Sequence, residues 1–162
     1  AALAKHQIFS LSELEILLQE DKVNMRSLVQ AVMILISEGY VVIIQDEKLV
    51  NNSRERAVKF NQHILDGTED DDDINFMVSP VTGNGIHVNR FERLFIKYIK
   101  LGISDPNEWS EKAWALLSSY NQRFLKDGKV LKSDEDNLAE MLRRANEFSS
   151  KRMQIMKALE II

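Results

Sequence analysis

Apolar residues along this chain recur mostly at helical spacing, interrupted by one β-branched run and one short alternating stretch. Leu14, Leu17 and Leu18 share a helical face behind Ser10-Leu-Ser-Glu13, a capping box in which Ser10 accepts from the amide three residues on and Glu13 reaches back. Asn24 can cap a second helix, whose Leu28, Val29, Val32, Met33, Leu35 and Ile36 cover more than one face. Such a helix is expected to be buried on most sides. Gly39 suits a left-handed C-terminal cap, and Val41, Val42, Ile43 and Ile44 predict a strand. Helix, tight turn, longer helix, glycine, strand is the order of a winged helix.

The next periodic stretch places Ala57, Val58, Phe60, Ile64 and Leu65 on one face, with Ser53 as the expected cap and Gly67 as the stop. Residues 74–90 break the helical pattern. Positions 74–78 are β-prone, Pro80 belongs at their end or on an edge, and 86–88 read as a return strand. Between them Thr82-Gly83-Asn84-Gly85 is turn chemistry, with Asn-Gly the strongest short hairpin signal. Asn89-Arg-Phe-Glu92 is a further capping box, opening a helix with Phe91, Leu94, Phe95, Tyr98 and Ile99 inward and Gly102 at its end. Asp105, Pro106 and Glu108 start another, in which Trp109, Ala113, Trp114, Leu116, Leu117, Tyr120, Phe124 and Leu125 keep helical spacing until Gly128. Ser133 then caps a long final helix carrying Leu138, Met141, Leu142, Ala145, Phe148, Met153, Met156 and Leu159. Both tryptophans are expected in the core.

The expected fold is therefore mainly α with a small β component. A winged-helix-like unit (1–50) leads into a connecting helix and acidic loop (51–73). A hairpin plus a helical C-terminal part (74–162) completes it, in a layout compatible with one continuous domain.

Composition narrows the function classes. Lys plus Arg number 21 against 25 for Asp plus Glu, a net charge of −4, which argues against a dedicated nucleic-acid binder. The second helix offers Arg26 as its cation, so groove binding by that element is also disfavoured. Zero cysteines exclude a disulfide framework and thiolate metal sites, and suit a reducing, cytoplasmic setting. No apolar run approaches the ~18 residues of a membrane span. The start, Ala-Ala-Leu-Ala-Lys-His6, lacks an initiator Met and the pattern of an intact signal peptide, and reads as a cut from a longer chain.

Candidate chemistry is sparse. Glu69, Asp70, Asp71, Asp72 and Asp73 lack the alternating spacing and glycine of a calcium loop, and read as a solvated acidic loop. Gly83-Asn-Gly85-Ile-His-Val88 has Val88 where a dinucleotide loop needs a small residue, and its glycines read as turn formers. His6, His63 and His87 share no ligand spacing, and His87 is expected to be a half-buried strand residue. No catalytic, cofactor-binding or metal-binding residue is assigned.

A resemblance goes further. The runs Ile64-Leu-Asp-Gly67, 73–95 and Phe124-Leu-Lys-Asp-Gly-Lys-Val-Leu131 resemble the C-terminal part of bacterial class I S-adenosylmethionine-dependent methyltransferases with a methyltransferase regulatory domain. Some relatives are protein lysine methyltransferases with a trailing winged-helix domain. The most specific piece is Val78-Ser-Pro-Val-Thr-Gly-Asn-Gly-Ile86; the first fifty residues resemble the family by architecture alone. The resemblance implies a non-catalytic accessory domain for substrate recognition, regulation or dimer contact. Its implied partners are its own N-terminal catalytic domain, a protein substrate and a second copy in a homodimer. S-adenosylmethionine is the cofactor implied for the missing catalytic half. Thr82, Asn84, His87 and Arg90 are the candidate partner or substrate surface. The alternative is a winged-helix module for protein docking or nucleic-acid binding.

Overall fold

The computed structural model describes residues 8–19, 21, 23–70 and 73–162. Its elements are α1 (Leu11–Leu17), α2 (Met25–Ser37), α3 (Glu47–Gly67), β1 (Phe76–Val78), β2 (Gly85–His87), α4 (Arg90–Lys100), α5 (Pro106–Ser119), β3 (Leu125–Lys126), β4 (Lys129–Val130), α6 (Asp134–Glu147), a π-helical turn (Phe148–Arg152) and α7 (Met153–Ala158). The fold is mainly α with two small antiparallel hairpins, β1–β2 and β3–β4.

Local sequence explains most helix starts. Ser10, Asn24, Asn89, Asp105 and Ser133 each cap a helix through the side chain, and the Ser10 and Asn89 caps are complete capping boxes. Each such cap satisfies an amide that the helix leaves without an internal partner, a contribution of about 1 kcal/mol. Gly39 ends α2 region with φ +75°, as a left-handed cap requires.

The structure corrects the sequence reading at several points. Residues 41–44 form no strand, because no strand of the described residues lies beside them to complete a ladder. The strand of the winged-helix order is therefore not formed. The expectation that α2 is buried on most sides also fails: Leu28 is its buried residue, while Met33 and Ile34 are 64% and 63% exposed. Helix α3 starts earlier than expected, since Asp46 accepts from the Lys48 amide at 2.9 Å; Ser53 sits inside the helix and donates to the Val50 carbonyl.

The Asn84-Gly85 pair is not the hairpin turn. Gly85 is already a strand residue opposite Val78, and the left-handed position is Gly83 at φ +71°. Helix α5 stops at Ser119 instead of running toward Gly128, with Asn121 left-handed at φ +55°. Asp127 and Gly128, at φ +51° and +75°, then form the tight turn of β3–β4, two left-handed residues being what a type I′ hairpin needs. The expected single closing helix is α6 and α7 joined through the π-turn.

The core lies entirely in the C-terminal two-thirds. It runs from Ile64 and Leu65 on α3 through Met77 and Val88 of the hairpin to Leu94, Phe95 and Ile96 on α4. Trp109 and Trp114 on α5, Met141 and Ala145 on α6, and Met156 and Ile161 near the chain's end close it. Phe95 packs between Trp109 and Phe148, with ring centroids 6.1 and 5.8 Å away. The Trp109 indole N–H donates to the Ile103 carbonyl at 2.9 Å, so this deeply buried ring leaves no polar atom unpaired. Helices α1 and α2 pack on each other outside this core.

Candidate functional site

The hairpin β1–β2 is short, and a two-stranded ribbon of three pairs is not stable alone. Its stability comes from side chains that replace missing strand neighbours. Asn61 on α3, itself 2% exposed, donates to the Val78 carbonyl and accepts from the Val78 amide, both at 2.7 Å. The amide side chain thus imitates a third strand. Ser79, fully buried, donates its hydroxyl to the Leu159 carbonyl at 2.7 Å and accepts from the Val81 and Thr82 amides. That hydroxyl organises the turn at Pro80, and it couples the hairpin to the end of α7.

The turn is closed by Gly83 N–H to the Ser79 carbonyl at 2.9 Å and Ser79 N–H to the Asn84 carbonyl at 3.0 Å. The run after α2 bears on it from outside: the Gln45 amide donates to the Val81 carbonyl at 2.8 Å, and its side chain to the Pro80 carbonyl at 3.1 Å. A Cβ on Gly83 would lie 2.2 Å from Gln45 Nε2 and would displace that side chain, and the φ of +71° itself favours glycine.

The four candidate surface residues separate into two groups. Asn84 and His87 are exposed, and the His87 ring meets Phe76 edge-on at 5.6 Å across the ribbon. His87 is therefore not the half-buried strand histidine expected. Thr82 is buried, its hydroxyl oxygen accepting from the Asn84 amide at 3.4 Å. Arg90 is 8% exposed, and its guanidinium donates to the Thr68 and Glu69 carbonyls and to Gln122 Oε1. It ties the end of α3 to the segment after α5 and presents no charge outward.

Beside the hairpin, a cleft of about 380 Å³ opens between the start of α4 and the α6–π-turn segment. Its lining includes Asn89, Phe91, Glu92, Arg143, Arg144, Glu147, Lys151 and Arg152, a set with no single signature in the sequence because it comes from two distant helices. Arg152 connects the two features. Its terminal N–H donates to the His87 carbonyl at 2.9 Å, and its Nε lies 3.1 Å from Glu92 Oε1, too oblique for a hydrogen bond.

The other cations also have carboxylate partners: Arg143 with Glu140 and Glu147, Arg144 with Glu140, Lys151 with Glu147. Hydrogen bonds from Arg143 and then Arg144 hold the Glu140 carboxyl at about 2, against an opposing effect of burial. Arg144 also lies over the Phe91 and Phe124 rings, 4.9 and 4.7 Å from their centroids. The four cations Arg143, Arg144, Lys151 and Arg152 are thus largely offset by the carboxylates of Glu92, Glu140 and Glu147.

In the acidic loop, Glu69 pairs with Lys97 at 2.8 Å and Asp70 accepts from the Tyr120 hydroxyl at 3.0 Å; Asp71 and Asp72 lie outside the described residues, as does His6. Burial, and then the nearby Glu69 charge, push the Tyr98 hydroxyl up to about 12. Among the described residues no group of three or more His, Asp or Glu side chains is placed to hold a metal ion, and no helix is long and apolar enough to cross a membrane.

No family model and no solved structure matches the sequence. The chain is 27% identical over 139 residues to an uncharacterized protein of Synechocystis sp., sll1526. That match covers 86% of this chain and 27% of the Synechocystis protein, so the chain spans about a quarter of that relative's length.

Proposed function

We propose that this chain is the non-catalytic C-terminal accessory domain of a longer bacterial, cytoplasmic S-adenosylmethionine-dependent methyltransferase, and that its hairpin helps to recognise the protein substrate. The observation that carries the reading is the build of the hairpin. Its turn end is fixed at Val78 by Asn61 and at Ser79 by the Leu159 carbonyl, while Asn84 in the turn and His87 at the open end of β2 are exposed. A turn held rigid with polar groups exposed beside it is how a recognition element limits the ordering cost of binding. Ser79 and Asn84 lie in Val78-Ser-Pro-Val-Thr-Gly-Asn-Gly-Ile86, the most specific piece of the resemblance to the methyltransferase family, and His87 directly follows it. The resemblance assigns S-adenosylmethionine to the catalytic half, and no residue of this chain is proposed to contact it.

The test is methyl transfer by the longer protein with Asn84→Ala and His87→Ala combined. The expected result is a protein-substrate KM raised on the order of 10-fold with kcat nearly unchanged, about 1.4 kcal/mol of binding. Unaltered kinetics in a folded double variant would remove the recognition role. Absence of any S-adenosylmethionine-dependent transfer would remove the methyltransferase assignment.

The second reading is a docking module built on α2. Its exposed side chains Met33 and Ile34 and its single cation, Arg26, favour a protein partner over nucleic acid.

A further inference from the structure

We propose that residues 41–44 form a strand-pairing edge, completed by an extended apolar segment with basic flanks that belongs to the remainder of a longer protein. The inference rests on the chain being part of such a protein, and is independent of the reaction that protein performs.

Val41, Val42, Ile43 and Ile44 are four β-branched residues in a row, the composition of a strand packed into a sheet. Neither two-stranded sheet of the described residues includes this run. The Val41 amide donates to the Leu35 carbonyl at 3.3 Å and the Gln45 amide to the Val81 carbonyl at 2.8 Å, while the Val42, Ile43 and Ile44 amides between them have no backbone acceptor among the described residues. Their side chains are also turned out, Ile43 being 73% exposed.

Unpaired donors and carbonyls along a β-branched run are a template for strand addition. The run is held at both ends, by the left-handed Gly39 cap and by the two Gln45 bonds to the hairpin turn, which reduces the ordering cost of pairing. Met33, Ile34 and Tyr40 extend the exposed apolar area beside it.

Charge selects the occupant. Glu38 precedes the run, and Asp46, Glu47 and Lys48 follow it, so the flanks keep an excess of acid over base. An antiparallel second copy centred on the run brings Glu38 of one chain towards Asp46 and Glu47 of the other, which is repulsive. A segment with Lys or Arg on its flanks meets the same acids favourably. A source for it is consistent with the Synechocystis relative, of which the match covers only 27%.

The experiment is amide hydrogen exchange on the 162-residue chain and on the longer protein that contains it. Exchange at Val42, Ile43 and Ile44 is expected to be fast in the chain alone and slower by on the order of 100-fold in the longer protein. Ile43→Pro, which deletes one donor, should abolish the protection at its neighbours, and Ile43→Val should retain it. Fast exchange in the longer protein overturns the proposal. Protection that appears in the chain alone and grows with concentration also overturns it, in favour of a second copy. Methyl transfer is measured separately, so loss of the assigned reaction leaves the exchange result standing.

Discussion

Helices α2 and α4 differ in a way their composition does not suggest. Met25–Ser37 holds one charged residue, yet only Leu28 is buried in it. Arg90–Lys100 holds five, and buries Leu94, Phe95, Ile96 and Tyr98. In α4 even Arg90 and Arg93 are buried beside these apolar residues, because α3, α5 and α6 all pack against the helix. In α2 apolar residues lie on several sides, and among the described elements α1 is its main neighbour. The same contrast separates the N-terminal unit from the rest of the molecule, since no residue before Ile64 belongs to the main core. Hydrophobicity states a demand for burial. Whether it is met depends on which surfaces the chain brings near.

The largest effect that sharpens this contrast is in the main core. Trp109→Ala should cost about 3–5 kcal/mol in urea unfolding, from the lost burial of a ring 1% exposed and the cavity left behind. Next comes Asn61→Ala, which strands both backbone groups of Val78; a loss of about 1–3 kcal/mol is expected, with the β1 amides exchanging faster than those of α4. A smaller loss would mean that strand pairing alone secures the hairpin.

Acid should act on the C-terminal body first. The Glu140 carboxyl lies at about 2 in the folded chain against an ordinary 4.5, so the unfolded chain takes up its proton first. Its contribution is present above pH 4.5 and is lost as the pH falls from there through about 2. The magnitude is roughly 1–2 kcal/mol, given that the Arg143 partner is more than half exposed and screened by solvent. Glu140→Gln should flatten that part of the pH–stability curve, a result read from Tm at a series of pH values.

The joint between the two regions is expected to respond next. Gly83→Ala places a side chain at positive φ and against Gln45, a loss of about 1 kcal/mol accompanied by faster exchange of the Gln45 amide. Met33→Ala, on the exposed side of α2, should stay within about 0.5 kcal/mol of the parent in the chain alone. A markedly larger loss there would show that α2 is buried in solution and would break the comparison.

Much of this fold was legible because its cues are local. Ser10, Asn24, Asn89, Asp105 and Ser133 announce helix starts through side chains that reach an amide only two or three residues away. The Asp127-Gly128 turn is equally local, but Phe124 and Leu125 continue the helical period of α5 and mask it. The candidate site was legible in position and less so in role. Its hairpin lies where turn chemistry put it, but Arg90 and Thr82 turn inward because their acceptors and donors come from other parts of the fold or from the turn itself.

The sequence by itself determined where most helices begin, that the body is mainly α, and that residues 74–90 form a hairpin leading into a capped helix. Only the tertiary structure decided which of two apolar helices is buried, which candidate residues face outward, and that the charged cleft exists. It also decided that Val41, Val42, Ile43 and Ile44 do not become a strand within the described residues. The reason is physical: a cap is completed within one turn of chain, whereas a strand needs a second strand and an apolar face needs a second surface.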